Sequence, residues 1–403
     1  MKSNNRISKH FALWSTAALT ALTLSLSPIA STASAATVVV QGTTSPVQST
    51  APIRNTTIPP LTETAKTSEL PNVLVIGTGG TIAGQSTDET SFTSYRAGSL
   101  AIGDMVGSLP NLDKLAEVNT LQFGNSGSSA YTIPDLYDLS MSVDKALETY
   151  DSVVVTTGTD TMEEIAYFLD LTVQSDKPVI ITGSMRPWTV IGSDAQANLF
   201  NAIKLAASGR TTSFGTVLML NDTLHSARGV TKTNAYRTDT FETPVLGALG
   251  YIDGDNIRIY RAPARAMKPE GTAKPVFDLS KISKEKLADT KVEIAISYQQ
   301  AGAGAISGFV ANGAKGIVTS GTGAGGISSA MSAERRTAIE EGVVFVTTTR
   351  TGSGSVYSGG EGIISGDNLS PQHARILLLL SLAFTDDFDT IKGWFETYGK
   401  SEV

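Results

Sequence analysis

The chain has 403 residues, 41% apolar and 17% charged, an ordinary globular composition that can bury a large core in two or three domains. It contains no cysteine, which excludes disulfides, thiolate nucleophiles and thiolate metal ligands. The formal charge is −7, and since the cations Lys2, Arg6 and Lys9 belong to a leader, the remainder carries about −10, which disfavours nucleic acid and anionic membrane as partners.

In chain order, Lys2, Arg6 and Lys9 precede an uncharged apolar run from Phe11 to Ala30 and the small residues Ala33-Ser34-Ala35-Ala36. This pattern predicts a secretory signal peptide over 1–36, cleaved after Ala35 or Ala36, so the mature chain is expected in the periplasm or the medium with no membrane association. Residues 37–70 are rich in Thr, Ser and Pro and read as a flexible linker. From Pro71 short Val/Ile/Leu runs (VLVIG, SVVVTTG, PVIITGS, GTVLMLN) alternate with amphipathic stretches such as MEEIAYFLDLTVQS. Strand alternating with helix predicts an α/β fold: a larger N-terminal domain over 71–262, flavodoxin- or Rossmann-like with a parallel sheet. A Pro- and Lys-rich stretch, 263–289, reads as an interdomain linker, and the alternation resumes in a smaller C-terminal α/β domain over 290–403.

The chemistry is narrowed by what is missing. Outside the leader only His225 and His373 remain, too few for a His-rich metal site, and no HExxH, GxxxxGK[ST] or GxSxG motif occurs. No metal and no cofactor is expected. His373 precedes an apolar helix and reads as a helix-start residue, while His225 falls in an apparent loop. Two glycine-rich turns remain, each following a β-branched run: IGTGGTIAG at 76–84 and VVVTTGTDTMEE at 153–164. Open α/β sheets bind ligands beyond the carboxyl ends of their strands, so the two turns are expected to share one site.

Thr81 follows Gly79-Gly80, where the backbone is bare and a helix start would offer amides; it reads either as a nucleophile or as a helix N-cap. Asp160, beside Thr159, reads either as a partner for a substrate ammonium or again as a cap. Lys232, in VTKTN, is a candidate base. The stretch GTGGTIAG also matches a dinucleotide fingerprint, but the acid that should end a second strand is wanting: TDETSFTSYRAG has acids and no apolar strand.

These motifs, together with SDKPVIITGSMRP (175–187), NDT (221–223) and GVTKTN (229–234), closely resemble the bacterial type II (exported) L-asparaginases of the asparaginase/glutaminase family, over residues 70–403. The resemblance implies that Thr81 is the nucleophile and that Tyr95, in TSYRAG, is the tyrosine of a mobile loop. It implies a second catalytic group of Thr159, Asp160 and Lys232, with Thr159 and Asp160 also touching substrate. Ser129 aligns with the serine that binds the substrate α-carboxylate, with Ser128 one residue away, and Ser184 stands where alanine is usual. The implied reaction is hydrolysis of the side-chain amide of free L-asparagine to L-aspartate and ammonia through a β-acyl-threonine, possible also on L-glutamine. The implied assembly is a homotetramer, a dimer of dimers, in which the neighbour's C-terminal domain completes each site.

Three departures bear on specificity: the segment 350–369 is shorter than its counterpart and Glu361 does not match the expected glutamate, Gln300 stands near the place of an asparagine, and Ala130 replaces a side-chain amide. The altered segment also leaves open an exported amino-acid-binding protein of the same fold without turnover.

Overall fold

The computed structural model describes residues 54–267 and 277–400, so the expected signal peptide, residues 37–53 of the expected linker and residues 268–276 lie outside the described residues. The linker expectation differs from the structure over 54–70. This stretch holds one short helix, α1 (Glu63–Thr67), capped by the Thr62 hydroxyl. Ile58 and Leu61 pack on the core, Tyr150 donates its hydroxyl to the Pro59 carbonyl at 2.9 Å, and the side chain of Arg54 is covered. Composition understated it because a few apolar side chains suffice when a preformed surface receives them.

The domain that follows is built from β1 (Asn72–Gly79), α2 (Ile102–Gly107), β2 (Glu117–Ser126), α3 (Ile133–Leu147), β3 (Ser152–Thr156), α4 (Met162–Thr172), β4 (Val179–Thr182), α5 (Ala195–Ala207) and β5 (Thr216–Leu220). It continues with β6 (Thr223–Ser226), β7 (Thr231–Lys232), β8 (Phe241–Glu242), β9 (Gly250–Asp253) and β10 (Asn256–Ile259). Strands β1 and β3 read as unbroken apolar runs because both sheet faces are covered. Leu74, Ile76, Val153 and Val155 meet α3 and α4 on one face, while Val73, Val75 and Val154 meet α2 and α5 on the other. Each of these side chains contributes about 1.5–3 kcal/mol by burial. Helix α3 starts sharply because Thr132 and Asp135 form a reciprocal capping box with Pro134 in the first turn.

The eight-stranded sheet runs β10-β9-β6-β5-β4-β3-β1-β2. It is mixed, a correction to the parallel sheet expected: β2, β1, β3, β4 and β5 are parallel, but β6, β9 and β10 are antiparallel. The reversal comes from Asn221-Asp222, both at positive φ (52° and 60°), which make the two-residue hairpin turn that such residues favour. The parallel part has order 2-1-3-4-5, with its switch point between β1 and β3. The two glycine-rich turns leave the sheet there.

After α6 (Lys284–Asp289) comes the smaller unit: β11 (Val292–Ile296), α7 (Gly304–Ala311), β12 (Gly316–Gly321), α8 (Ser329–Glu340), β13 (Val344–Thr349), β14 (Ile363–Ser365), α9 (Pro371–Phe384) and α10 (Phe388–Tyr398). Its four strands are parallel in the order β11-β12-β13-β14. Helix α9, buried nearly all round, packs against β11, β12 and α4, and one continuous apolar cluster joins the two sheets. Phe277, from the expected interdomain linker, is fully buried with its ring 5.1 Å from Trp394 and 5.4 Å from Phe384. The two sheets are therefore held by one core. Among the described residues no helix is long and apolar enough to cross a membrane.

Candidate active site

The turn after β1 is bent by Gly79 and Gly80, both at positive φ (102° and 83°). Thr81 does not begin an α-helix, as expected, but opens a single 3-10 turn, Thr81–Ala83, whose preceding residue is Gly80 without a side-chain cap. The cap reading of Thr81 therefore fails. Its Oγ1 lies 2.7 Å from the Tyr95 hydroxyl. Tyr95 is half-buried in an otherwise exposed loop, its ring lying against Gly84.

The turn after β3 abuts the first. A Cβ on Gly80 would fall 2.2 Å from the Gly158 nitrogen, so only bare backbone lets the two turns touch. Thr159 is buried, and its Oγ1 accepts from Lys232 Nζ at 2.9 Å; the same ammonium reaches Asp160 Oδ1 at 2.7 Å. Asp160 is exposed and does not cap α4, whose cap position is Thr161. A cavity of about 340 Å3 opens over Asp160, Lys232 and Asn234.

Thr81 with Tyr95, and Thr159 with Asp160 and Lys232, thus occupy two adjoining turns. Of the neighbouring serines, Ser128 is buried and its Oγ accepts from the Thr161 amide at 3.1 Å, beside Gly158, whereas Ser129 is exposed. Ser128 also borders a cavity of about 270 Å3 with Ser129 and Thr161. Ser184 is fully buried and donates its hydroxyl to the Arg186 carbonyl at 2.6 Å, one residue from Gly183, which approaches the Thr159 methyl. Gln300 is exposed at positive φ (59°), and Glu361 and Ala130 are exposed as well.

Sequence reasoning missed Glu163. It is buried in the first turn of α4, and its carboxylate accepts from the Lys232 amide at 2.7 Å, so it holds β7 and with it the lysine. Burial pushes the Glu163 carboxyl above the usual carboxylate range, against hydrogen bonds from Thr231 and the Lys232 amide. The acid immediately after TGTDTM was the available signal.

His225 is not in a loop, as expected, but on β6, buried, with Nδ1 2.9 Å from the Thr243 hydroxyl. His373 lies in the first turn of α9, Nδ1 3.0 Å from Ser370 Oγ and Nε2 3.2 Å from the Glu163 carbonyl. Desolvation lowers both imidazoles to about 4. A separate cavity of about 410 Å3, bounded by Arg228, Arg350 and His373, contains none of the residues expected to be catalytic.

Residues 72–265 match the family described as asparaginase, N-terminal, and residues 291–395 match the glutaminase/asparaginase C-terminal domain. The chain is 39% identical to L-asparaginase 2 of Bacillus subtilis over 82% of its own length and 87% of that protein's. It is 36% identical to L-asparaginase 2 of Escherichia coli, covering 82% and 94%. In structure it is similar to the probable cytoplasmic L-asparaginase of Campylobacter jejuni, with a TM-score of 0.76 at 36% identity, covering 81% of this chain and all of that one. With both domains matched in order, and relatives 36–39% identical over more than four fifths of its length, the chain belongs to the asparaginase/glutaminase family of amidohydrolases.

Proposed function

We propose that the protein hydrolyses free L-asparagine through a covalent β-acyl ester on Thr81. The observation that carries this reading is the adjoining of two hydroxyl groups with proton-handling partners: Thr81 with Tyr95 at 2.7 Å, and Thr159 with Lys232 at 2.9 Å. Thr81 Oγ1 attacks the side-chain amide carbon and gives up its proton toward Tyr95; the amide nitrogen gains a proton and leaves as ammonia. Water then adds to the ester and releases L-aspartate, with Lys232 and Thr159 serving the proton transfer. Asp160 supplies a carboxylate for the substrate ammonium. Of the two serines, the turned-in Ser128 is the better placed donor for the α-carboxylate, with exposed Ser129 beside it. Ser184 shapes the floor through its bond to Arg186. No cofactor takes part.

L-Glutamine is the natural second substrate, and Gln300 and Ala130 are the side chains on which the preference turns. The family resemblance implies completion of the site by a neighbouring subunit in a homotetramer, although the shortened segment 350–369 and Gln300 depart from the residues that do so there; an active monomer in analytical ultracentrifugation rejects that arrangement. The leader at 1–36 supports export, which N-terminal sequencing of the mature protein tests.

Steady-state ammonia release from L-asparagine and L-glutamine is the decisive measurement. Turnover of L-asparagine is expected, falling by about 10^4-fold or more in Thr81→Ala. Aspartate binding without ammonia release points instead to an amino-acid-binding protein, and turnover that survives in Thr81→Ala rejects the nucleophile.

A further inference from the structure

The matched family begins at residue 72, yet the chain before it reaches the nucleophile turn. Arg54 leaves only 3% of its side chain exposed. Its Nε donates to Asp135 Oδ1 at 2.7 Å and its Nη2 to Oδ2 at 3.3 Å, the bidentate geometry that suits a planar guanidinium. The same plane stacks over the Tyr131 ring, 4.1 Å from its centroid. Tyr131 in turn donates its hydroxyl to the carbonyl of Thr78, at the end of β1 just before the turn of Gly79, Gly80 and Thr81. Thr78 also ties the end of β1 to the end of β3, where the two turns begin, its hydroxyl donating to the Thr156 carbonyl at 2.9 Å.

The place for Arg54 is built into the sheet. Gly124, on β2, is bare where a Cβ would lie 2.3 Å from the Tyr131 hydroxyl and 2.9 Å from Arg54 Nη1. The Asn55 amide bonds the Phe123 carbonyl at 3.1 Å, fixing the backbone beside it. Asp135 is shared: it also accepts from the Thr132 amide and hydroxyl at 2.8 and 2.9 Å, so the arginine locks the α3 capping box that ends the Ser128 loop. Burial alone would raise the Asp135 carboxyl, but the hydrogen bonds from Arg54 and Thr132 hold it below the usual range.

We propose that Arg54 is a positioning residue for the hydrolysis: through Tyr131 it sets the Thr78 carbonyl and hence the direction in which the glycine turn presents Thr81. This rests on the nucleophile reading of Thr81. An extension outside the matched domain thereby becomes part of the enzyme's working scaffold. The link to Thr81 is indirect, so its loss should act mainly on kcat, with a smaller effect on KM passing through the Ser128 loop.

The test compares Arg54→Ala, Arg54→Lys, Tyr131→Phe and the Arg54→Ala/Tyr131→Phe double variant, all in the full chain, by kcat, KM and thermal unfolding. Arg54→Ala is expected to lower kcat about tenfold with KM within about twofold, well below its unfolding temperature. Arg54→Lys, which keeps the charge without the fork, is expected to recover part of that loss. Tyr131→Phe is expected to lower kcat about fivefold, and the double variant to be no worse than Arg54→Ala, because both act through one chain of contacts. If Arg54→Ala does not fold, Tyr131→Phe and Arg54→Lys carry the test. Parental kcat in the folded Arg54 and Tyr131 variants, or losses that multiply in the double variant, overturn the proposal. Thr81→Ala separates the two readings: an inactive Thr81→Ala beside fully active Arg54 variants rejects the brace alone, and an active Thr81→Ala rejects the reading beneath it.

Discussion

Both sheets end in threonine- and glycine-rich turns, and the proposed chemistry falls on only one set. In the smaller unit β12 and β13 run out into TSGTGAGG and TTTRTGSG, which by composition rival the turns after β1 and β3. There, however, the hydroxyls that find partners bond backbone or one another, and that of Thr347 is buried with no partner. Thr348 donates to the Thr319 carbonyl at 3.0 Å, Thr349 to Gly323 at 2.6 Å and Thr351 to Ser353 at 2.7 Å. In the larger unit Thr81 and Thr159 bond Tyr95 and Lys232 instead. A threonine on a glycine turn is ordinary; a threonine whose hydroxyl faces a group able to take or give its proton is not. What separates the two regions is the side chain brought in from elsewhere: Tyr95 from a returning loop and Lys232 from β7, 73 residues beyond Thr159.

The sharpest way to break this contrast is to remove the imported partner. Lys232→Met keeps the stem and deletes the ammonium, leaving Thr159 without its donor and Asp160 without its ion pair. A loss of about 10^2- to 10^3-fold in kcat is expected, in the range for a positioned acid–base group. The check is steady-state ammonia release, with thermal unfolding to show that the fold survives. Because Lys232 lies on the short β7–β8 ribbon, held by Glu163, the fold should tolerate the change. Activity within threefold of the parent would mean that Thr159 and its lysine are no different in kind from the threonines of the other sheet.

Much of this contrast was legible in the residues, and the part that was not has a physical cause. The strands β1 and β3 were plain because they are buried on both faces, and the turns because glycine interrupts the β-branched runs. The antiparallel β6, β9 and β10 were not, since each has four residues and the hairpin signal Asn221-Asp222 is only two residues long. The choice between Ser128 and Ser129 depends on which side chain turns toward Thr161, a rotation that adjacent, chemically alike residues do not encode visibly. Arg54 was hidden for another reason: its partner Asp135 is 81 residues away, so a stretch of Thr and Pro looked free of structure.

Acid should loosen the molecule through both regions at once. His225 on β6 and His373 at the start of α9 are neutral in the fold, lowered to about 4 by burial, against about 6.5 in the unfolded chain. The unfolded state therefore binds more protons, and the stability these residues supply is complete above pH 6.5 and lost as pH falls toward 4. The loss is up to about 3 kcal/mol for each histidine. His373 touches the Glu163 carbonyl across the seam between the sheets, while His225 stays within the larger unit. His373→Gln is expected to make the fall of unfolding temperature between pH 6.5 and 4 shallower. An unchanged slope would show that His373 is not buried as a neutral ring.

The smallest effect tests the other side of the contrast. Thr348 is fully buried on β13, and its hydroxyl meets only the Thr319 carbonyl of β12. Thr348→Val keeps the shape and removes that bond, leaving a carbonyl that still has its ladder partner. A cost of about 1 kcal/mol is expected, the ordinary worth of one such hydrogen bond. Catalysis should not change, because no proton-handling group stands behind this hydroxyl. Chemical denaturation and ammonia release on the same preparation read the two quantities independently. A fall in kcat without a fall in stability would place the threonines of the smaller sheet in the chemistry, and the distinction between backbone-bound and partner-bound hydroxyls would no longer separate the two regions.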